Sequence, residues 1–176
     1  MPVLTPDELI NLAMEEIVEV EGKTNIDLTK CQLLCTQNDT FDQNSTNYDF
    51  KISTFKPSRI PLWMALHLQK RNQVVIKIPQ EYNMVDNFIE REETADSFCE
   101  IPPRFFEIAI ILNLQDFKIE KLKQLRMKKI WKGLEMLDNS VLFINNFTRW
   151  EFNQIKEFLT NVYKESVLIS TLKDDE

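Results

Sequence analysis

Glu15-Glu16-Ile17-Val18-Glu19-Val20-Glu21-Gly22 is the stretch on which the fold class turns. A chain this poor in glycine and rich in Leu, Ile, Glu and Lys reads as helical, and the residues before the stretch do open a helix. From Ile17 to Glu21, however, apolar and acidic side chains largely alternate and β-branched residues dominate. That period of two suits a strand with one buried face, ending at Gly22. Upstream, Thr5-Pro6-Asp7-Glu8 is a helix start. Thr5 caps, Pro6 takes the first helical position without losing a needed N–H, and Glu8 completes a capping box. Downstream, Cys31 to Thr36 and Tyr48 to Thr54 read as two more short strands around a polar loop, Gln37 to Asn47. Residues 1–58 are therefore expected to form a small β-rich module.

Pro57 and Pro61 mark the change to a helical domain expected over 59–170. Pro61 suits a helix start, and Leu62, Ala65, Leu66 and Leu68 carry the apolar spacing to about Asn72. Val74 to Ile78 is a short β-branched run closed by Pro79, after which helix returns to Glu93, with Tyr82, Val85 and Ile89 on one face. A polar connector, Thr94 to Pro103, leads to Arg104–Leu114, apolar on nearly every side and so expected to be buried all round. Lys118 to Asp138 is a longer helix. Thr148-Arg149-Trp150-Glu151 is a second capping box, opening a helix to about Ser166 whose stripe is Phe152, Ile155, Leu159, Val162 and Tyr163. Residues 171–176 form an acidic tail expected to be disordered. The fold class is mainly α with a small N-terminal β-containing module, α+β.

Composition narrows the function. Of 176 residues only Gly22 and Gly133 are glycine. A dinucleotide fingerprint or a phosphate loop needs clustered glycines to bring backbone N–H groups against phosphate, and neither can be built here. The single histidine, His67, excludes a two-histidine zinc site and, with no nucleophile elbow, reads as a structural or surface histidine. Cys31, Cys35, Cys99 and His67 make a bare quartet of zinc ligands. On a strand, though, Cys31 and Cys35 would stand about 13 Å apart, too far for one metal. Three cysteines, no signal-peptide pattern and no long apolar run point to a reducing interior and no membrane. No cofactor is expected.

Two charged constellations remain. Glu90 and Glu93 share a helix face and could hold Mg²⁺ as in a carboxylate-dependent nuclease, although a solvated face is the plainer reading. The net charge is −7, yet residues 101–138 carry 8 basic and 5 acidic groups. Lys118, Lys121, Lys128, Lys129 and Lys132 fall in an arc of roughly 100° at 3.6 residues per turn. Leu122 and Leu125 lie in or near the same arc. The stripe reads as a solvated face, a protein contact or, in a helical nucleic-acid-binding adaptor, a phosphate contact. Trp131, Trp150 and Phe158 add bulk that one stripe per helix cannot hide. Each large apolar side chain left in water forgoes roughly 1.5–3 kcal/mol. A partner chain that covers them is expected.

Ile60-Pro61-Leu62-Trp63-Met64-Ala65-Leu66-His67-Leu68-Gln69-Lys70-Arg71 resembles the helix signature of the GINS family, the replication-fork tetramer of Sld-five and its three partners. The order of β module before helical domain is that of the second and third partners. Further marks favour the second: Pro79-Gln80-Glu81-Tyr82, Glu90-Arg91-Glu92-Glu93-Thr94, Pro103-Arg104-Phe105-Phe106-Glu107, Lys128-Lys129-Ile130-Trp131, and Asn146-Phe147-Thr148 with Glu151, Phe152 and Tyr163. The resemblance covers about residues 1–166. It implies a non-enzymatic scaffold in the nucleus, packed with three sister subunits. The tetramer joins the minichromosome-maintenance motor ring and its RecJ-like companion in the replicative helicase, and any DNA contact of this subunit is indirect or weak. Trp131, Phe158, Phe105 and Phe106 are expected at subunit interfaces, and Pro61, Leu62 and Trp63 at the joint between module and helices.

Overall fold

A computed structural model describes residues 4–29, 49–114, 116–135 and 145–174, with 166–174 as helix backbone alone. The expected strand Cys31–Thr36, its following loop, and Cys31 and Cys35 themselves lie outside the described residues. Two compact units emerge, residues 11–83 and residues 1–10 with 84–176. The helix Leu62–Lys70, expected in the helical domain, thus belongs with the sheet.

The 11–83 unit is built on strand β1, Ile17–Gly22, which lies where the alternation places it, with Val18 and Val20 buried. It follows helix α1, Pro6–Met14, whose capping box forms as expected: the Thr5 N–H donates to Glu8 Oε2 at 2.6 Å and the Glu8 N–H to Thr5 Oγ1 at 3.3 Å. Strands β2 (Ile26–Asp27) and β3 (Lys51–Ile52) pair antiparallel; β3 is all that stands of the strand expected over Tyr48–Thr54 among the described residues. Strand β4, Pro57–Pro61, was read as a break because of its two prolines. Both prolines sit at the ends of an edge strand, where a missing N–H removes little from the ladder. β4 and β5 (Val74–Ile76) flank β1 antiparallel, giving the order β4-β1-β5.

Helix α2, Leu62–Lys70, leaves β4 directly and buries Leu62, Met64, Ala65 and Leu68 over the sheet. It ends in a Schellman motif: Gln73 N–H donates to Leu68 C=O and Asn72 N–H to Gln69 C=O, with Asn72 left-handed at φ 57°. Gly22 serves a different need. A Cβ there would lie 2.6 Å from Ile52 Cγ2 and 2.9 Å from the Ser53 carbonyl, so the close approach of β3 excludes any side chain.

In the second unit a 3-10 helix, Gln80–Met84, begins just ahead of it and runs into α3, Val85–Thr94. α4 is Phe105–Ile111, α5 Phe117–Glu135 and α6 Arg149–Asp174. α4 also closes with an asparagine Schellman motif, at Asn113, so asparagine supplies the left-handed caps that glycine usually would. Burial all round fails for α4: Phe105, Phe106 and Ala109 face inward while Ile110 is 49% exposed. α6 runs beyond the expected end near Ser166 and through the first four residues of the expected tail. Its capping box is present, with Thr148 N–H on Glu151 Oε2 at 2.9 Å and Glu151 N–H on Thr148 Oγ1 at 3.2 Å.

Candidate functional site: an open aromatic face beside a closed charge network

On α5 the buried row is Ile119, Leu122, Arg126 and Ile130, at helical spacings of three and four. Trp131 follows Ile130 and is rotated about 100° from it, to the rim of the row. On α6 Ile155 and Leu159 are buried and Phe158 stands at the corresponding rim. Ile130, Ile155 and Leu159 form one core cluster with Phe98, Met127, Leu134 and Phe147 packed against it. At its edge Trp131 and Phe158 meet edge-to-face, centroids 5.8 Å apart and planes at 73°. They remain 46% and 43% exposed. Val162, one turn beyond Phe158, is also exposed, as are Phe152 and Tyr163 on the other flank of the α6 row. Of the expected five-residue stripe only Ile155 and Leu159 are buried in this chain; the rest presents apolar surface outward.

The other expected interface aromatics are corrected. Phe105 and Phe106 are 1% and 0% exposed, packed edge-to-face on each other at 5.5 Å, with Phe88 against Phe105 and Trp150 against Phe106. They belong to the chain's own core and offer no surface to a partner. Trp150 is likewise half-buried, with the Lys123 ammonium 5.1 Å from its ring centre. In the 11–83 unit Pro61 and Leu62 are buried and Trp63 is half-buried, while His67 is exposed.

On the buried row of α5 lies a charge network that the sequence reading missed. Arg126 is fully buried, and all five of its N–H groups have acceptors. Nε donates to Glu151 Oε1 at 2.5 Å, Nη1 to Glu92 Oε2 at 3.0 Å and the Cys99 carbonyl at 2.9 Å, and Nη2 to Glu151 Oε2 at 3.0 Å and the Asn146 carbonyl at 2.7 Å. Lys129 donates to Glu92 Oε1 at 2.8 Å. One guanidinium thus ties α3, the connector, α5 and the start of α6. Burial opposes the charged Glu92, but hydrogen bonds from Cys99 and Lys129 and the Arg126 charge hold its carboxyl below the ordinary value. Burial and the neighbouring Glu92 push the Cys99 thiol up to about 11, so it sits as a neutral, unreactive group. The signal was faint but present. Arg126 continues the apolar row Ile119–Leu122–Ile130, and Glu92 lies between the two glutamates singled out for metal binding.

The lysine stripe is largely spoken for. Lys118 pairs with Asp86 at 2.6 Å, Lys121 with Glu93 at 2.8 Å, and Lys129 with Glu92. Only Lys128 and Lys132 of the five are exposed with no acidic partner described. Glu93 is therefore engaged and Glu90 stands exposed; among the described residues no cluster of three His, Cys, Asp or Glu could hold a metal. One further anomaly stands in α4. Glu107 is 2% exposed, and neither carboxylate oxygen has a hydrogen-bond partner. Burial raises its pKa above the ordinary carboxylate value. No described helix is long and apolar enough to cross a membrane.

No protein-family model matches the chain. Curated relatives do. The probable DNA replication complex GINS protein PSF2 of Encephalitozoon cuniculi is 30% identical, with 98% of this chain and 99% of that protein covered. The DNA replication complex GINS protein PSF2 of Saccharomyces cerevisiae is 29% identical over 76% of this chain and 66% of its own length. That of Candida glabrata is 27% identical over 74% of this chain and 64% of its own length. This chain thus spans just under two thirds of the two yeast proteins, and none of the three names is that of an enzyme. With the helical architecture, the two capping boxes and near-complete coverage of the first relative, the chain belongs to the PSF2 family of DNA replication complex GINS proteins.

Proposed function

We propose that this chain is a non-catalytic scaffold subunit of a GINS heterotetramer, acting in the initiation and elongation of DNA replication in the nucleus. Its sisters are Sld-five and the first and third partners, and through the tetramer it serves the minichromosome-maintenance motor ring and its RecJ-like companion. The observation that carries the reading is the Trp131–Phe158 pair, held edge-to-face yet nearly half open to solvent beside Val162. Aromatic side chains of this size at the centre of an apolar patch are what obligate interfaces bury. The names of the curated relatives supply the class of partner. The family resemblance supplies the motor ring and the companion.

The alternative of a nucleic-acid-binding adaptor has less behind it, because Asp86, Glu93 and Glu92 already neutralise three of the five lysines. Direct DNA contact is accordingly weak or indirect. Co-expression with the three sister subunits tests the proposal. A 1:1:1:1 particle is expected, lost or weakened when Trp131 and Phe158 are both replaced by alanine. Recovery of this chain alone as a soluble monomer, with the sisters present and unassociated, overturns it.

A further inference from the structure

Five described non-glycine residues adopt the left-handed backbone region, and three are asparagines, for which it is readily tolerated. Of the other two, Arg104 at φ 62° caps α4, and Phe55 is an aromatic residue at φ 58° whose side chain is 79% exposed. An exposed ring earns the fold almost nothing, and the conformation is one an asparagine or glycine would hold with less strain. The turn that carries it is nevertheless rigidly determined. Phe55 N–H donates to the Gly22 carbonyl at 2.9 Å and Lys56 N–H to the Ser53 carbonyl at 3.3 Å. Both the N–H and the hydroxyl of Thr54 donate to Asn25 Oδ1 at 2.9 Å. Gly22, where no Cβ fits, lets this segment lie against β1. The turn is also cationic. Lys56 is exposed with no acidic partner described, and Lys23, next to the Gly22 that holds Phe55, donates to the neutral Asn72 amide and has no acidic partner among the described residues.

We propose that Phe55 is a preset docking knob: its ring enters an apolar pocket on another protein, and carboxylates rimming that pocket pair with Lys56 and Lys23. A single rigid aromatic anchor with a charged rim is the usual make-up of a binding hot spot, and charge complementarity at the rim fixes orientation and speeds encounter. The chain's net charge of −7 and the lack of a second exposed aromatic described on this turn favour a protein pocket over a strand of nucleic acid. The proposal stands apart from the tetramer reading, since it concerns a different face in the other unit.

The test places the photoreactive residue benzoylphenylalanine at position 55 of the full chain, illuminates living cells, and maps adducts by mass spectrometry. One protein adduct is expected, on apolar residues bordered by Asp or Glu, with a yield about ten-fold lower in K56E. Adducts to nucleic acid, to a polar or basic protein surface, to many unrelated proteins or to nothing overturn the proposal, as does a yield indifferent to K56E. The variant F55N, read by thermal unfolding of the purified chain, keeps a fold role separable. An unchanged or higher Tm is expected, and a fall of about 5 °C or more would make Phe55 a residue of the fold instead.

Discussion

Arg126 and Trp131 lie little more than one turn apart on α5 and illustrate opposite solutions. At Arg126 every polar group finds a partner inside the chain, with Glu92, Glu151, Lys129 and two backbone carbonyls closing the network. At Trp131 the apolar surface meets Phe158 edge-to-face and stays half open. The contrast teaches that this helix has two tasks. Its inner row holds four segments of one chain in place, and its rim leaves aromatic surface open to solvent. A buried charge that is fully satisfied makes weak evidence for stability but a firm basis for geometry.

The sharpest way to break the comparison is at Arg126. R126A leaves Glu151 buried without its counter-charge and Glu92 with Lys129 alone, and should cost about 3–5 kcal/mol in chemical denaturation, enough to unfold the chain. R126K should recover only part, because an ammonium offers three donors where the guanidinium offers five. At the rim the effects should divide differently. W131A or F158A is expected to weaken subunit association by about 2–4 kcal/mol each, measured as the dissociation constant of the particle. The isolated chain should lose the edge-to-face term, about 0.5–1.5 kcal/mol, together with the burial of the covered half of the ring.

Glu107 sharpens the comparison from the polar side, being buried like Glu92 but without a partner. Its folded-state pKa is raised, chiefly by burial, with Arg104 and Arg149 opposing and Glu151 adding to the rise. Above the unfolded value of 4.5 the unfolded chain releases this proton first, so its contribution to stability falls as pH rises. Glu92, with its pKa lowered, contributes in the opposite sense: stability present above 4.5 and lost as pH falls through its folded value. E107Q should therefore make the chain more stable at neutral pH and flatten its stability above 4.5. The smallest effect expected is at the helix start, where T148A removes the α6 cap and costs about 1 kcal/mol in thermal unfolding.

What the sequence made legible was local. β1 announced itself by alternation, and both capping boxes by residues three apart. β4 did not, because an edge strand that begins and ends in proline is recognisable only from its partner β1, distant in the chain. Arg126 was passed over for the same reason: its acceptors lie on α3, on the connector and on α6, and no spacing within α5 names them. Phe105 and Phe106 were read as interface because an apolar helix does not say which face its own chain will cover. The scarcity of glycine was legible, whereas its consequence, asparagine in the left-handed caps at Asn72 and Asn113, emerged from backbone geometry. The exposure of Trp131 and Phe158 was legible because too many large aromatics for one stripe is a matter of counting.

The most direct measurement is hydroxyl-radical footprinting of Trp131 and Phe158, in the chain alone and in the particle co-purified with its three sisters. Strong protection of both rings on assembly is the expected result. Equal oxidation of Trp131 and Phe158 in the lone chain and in an intact particle would contradict the account.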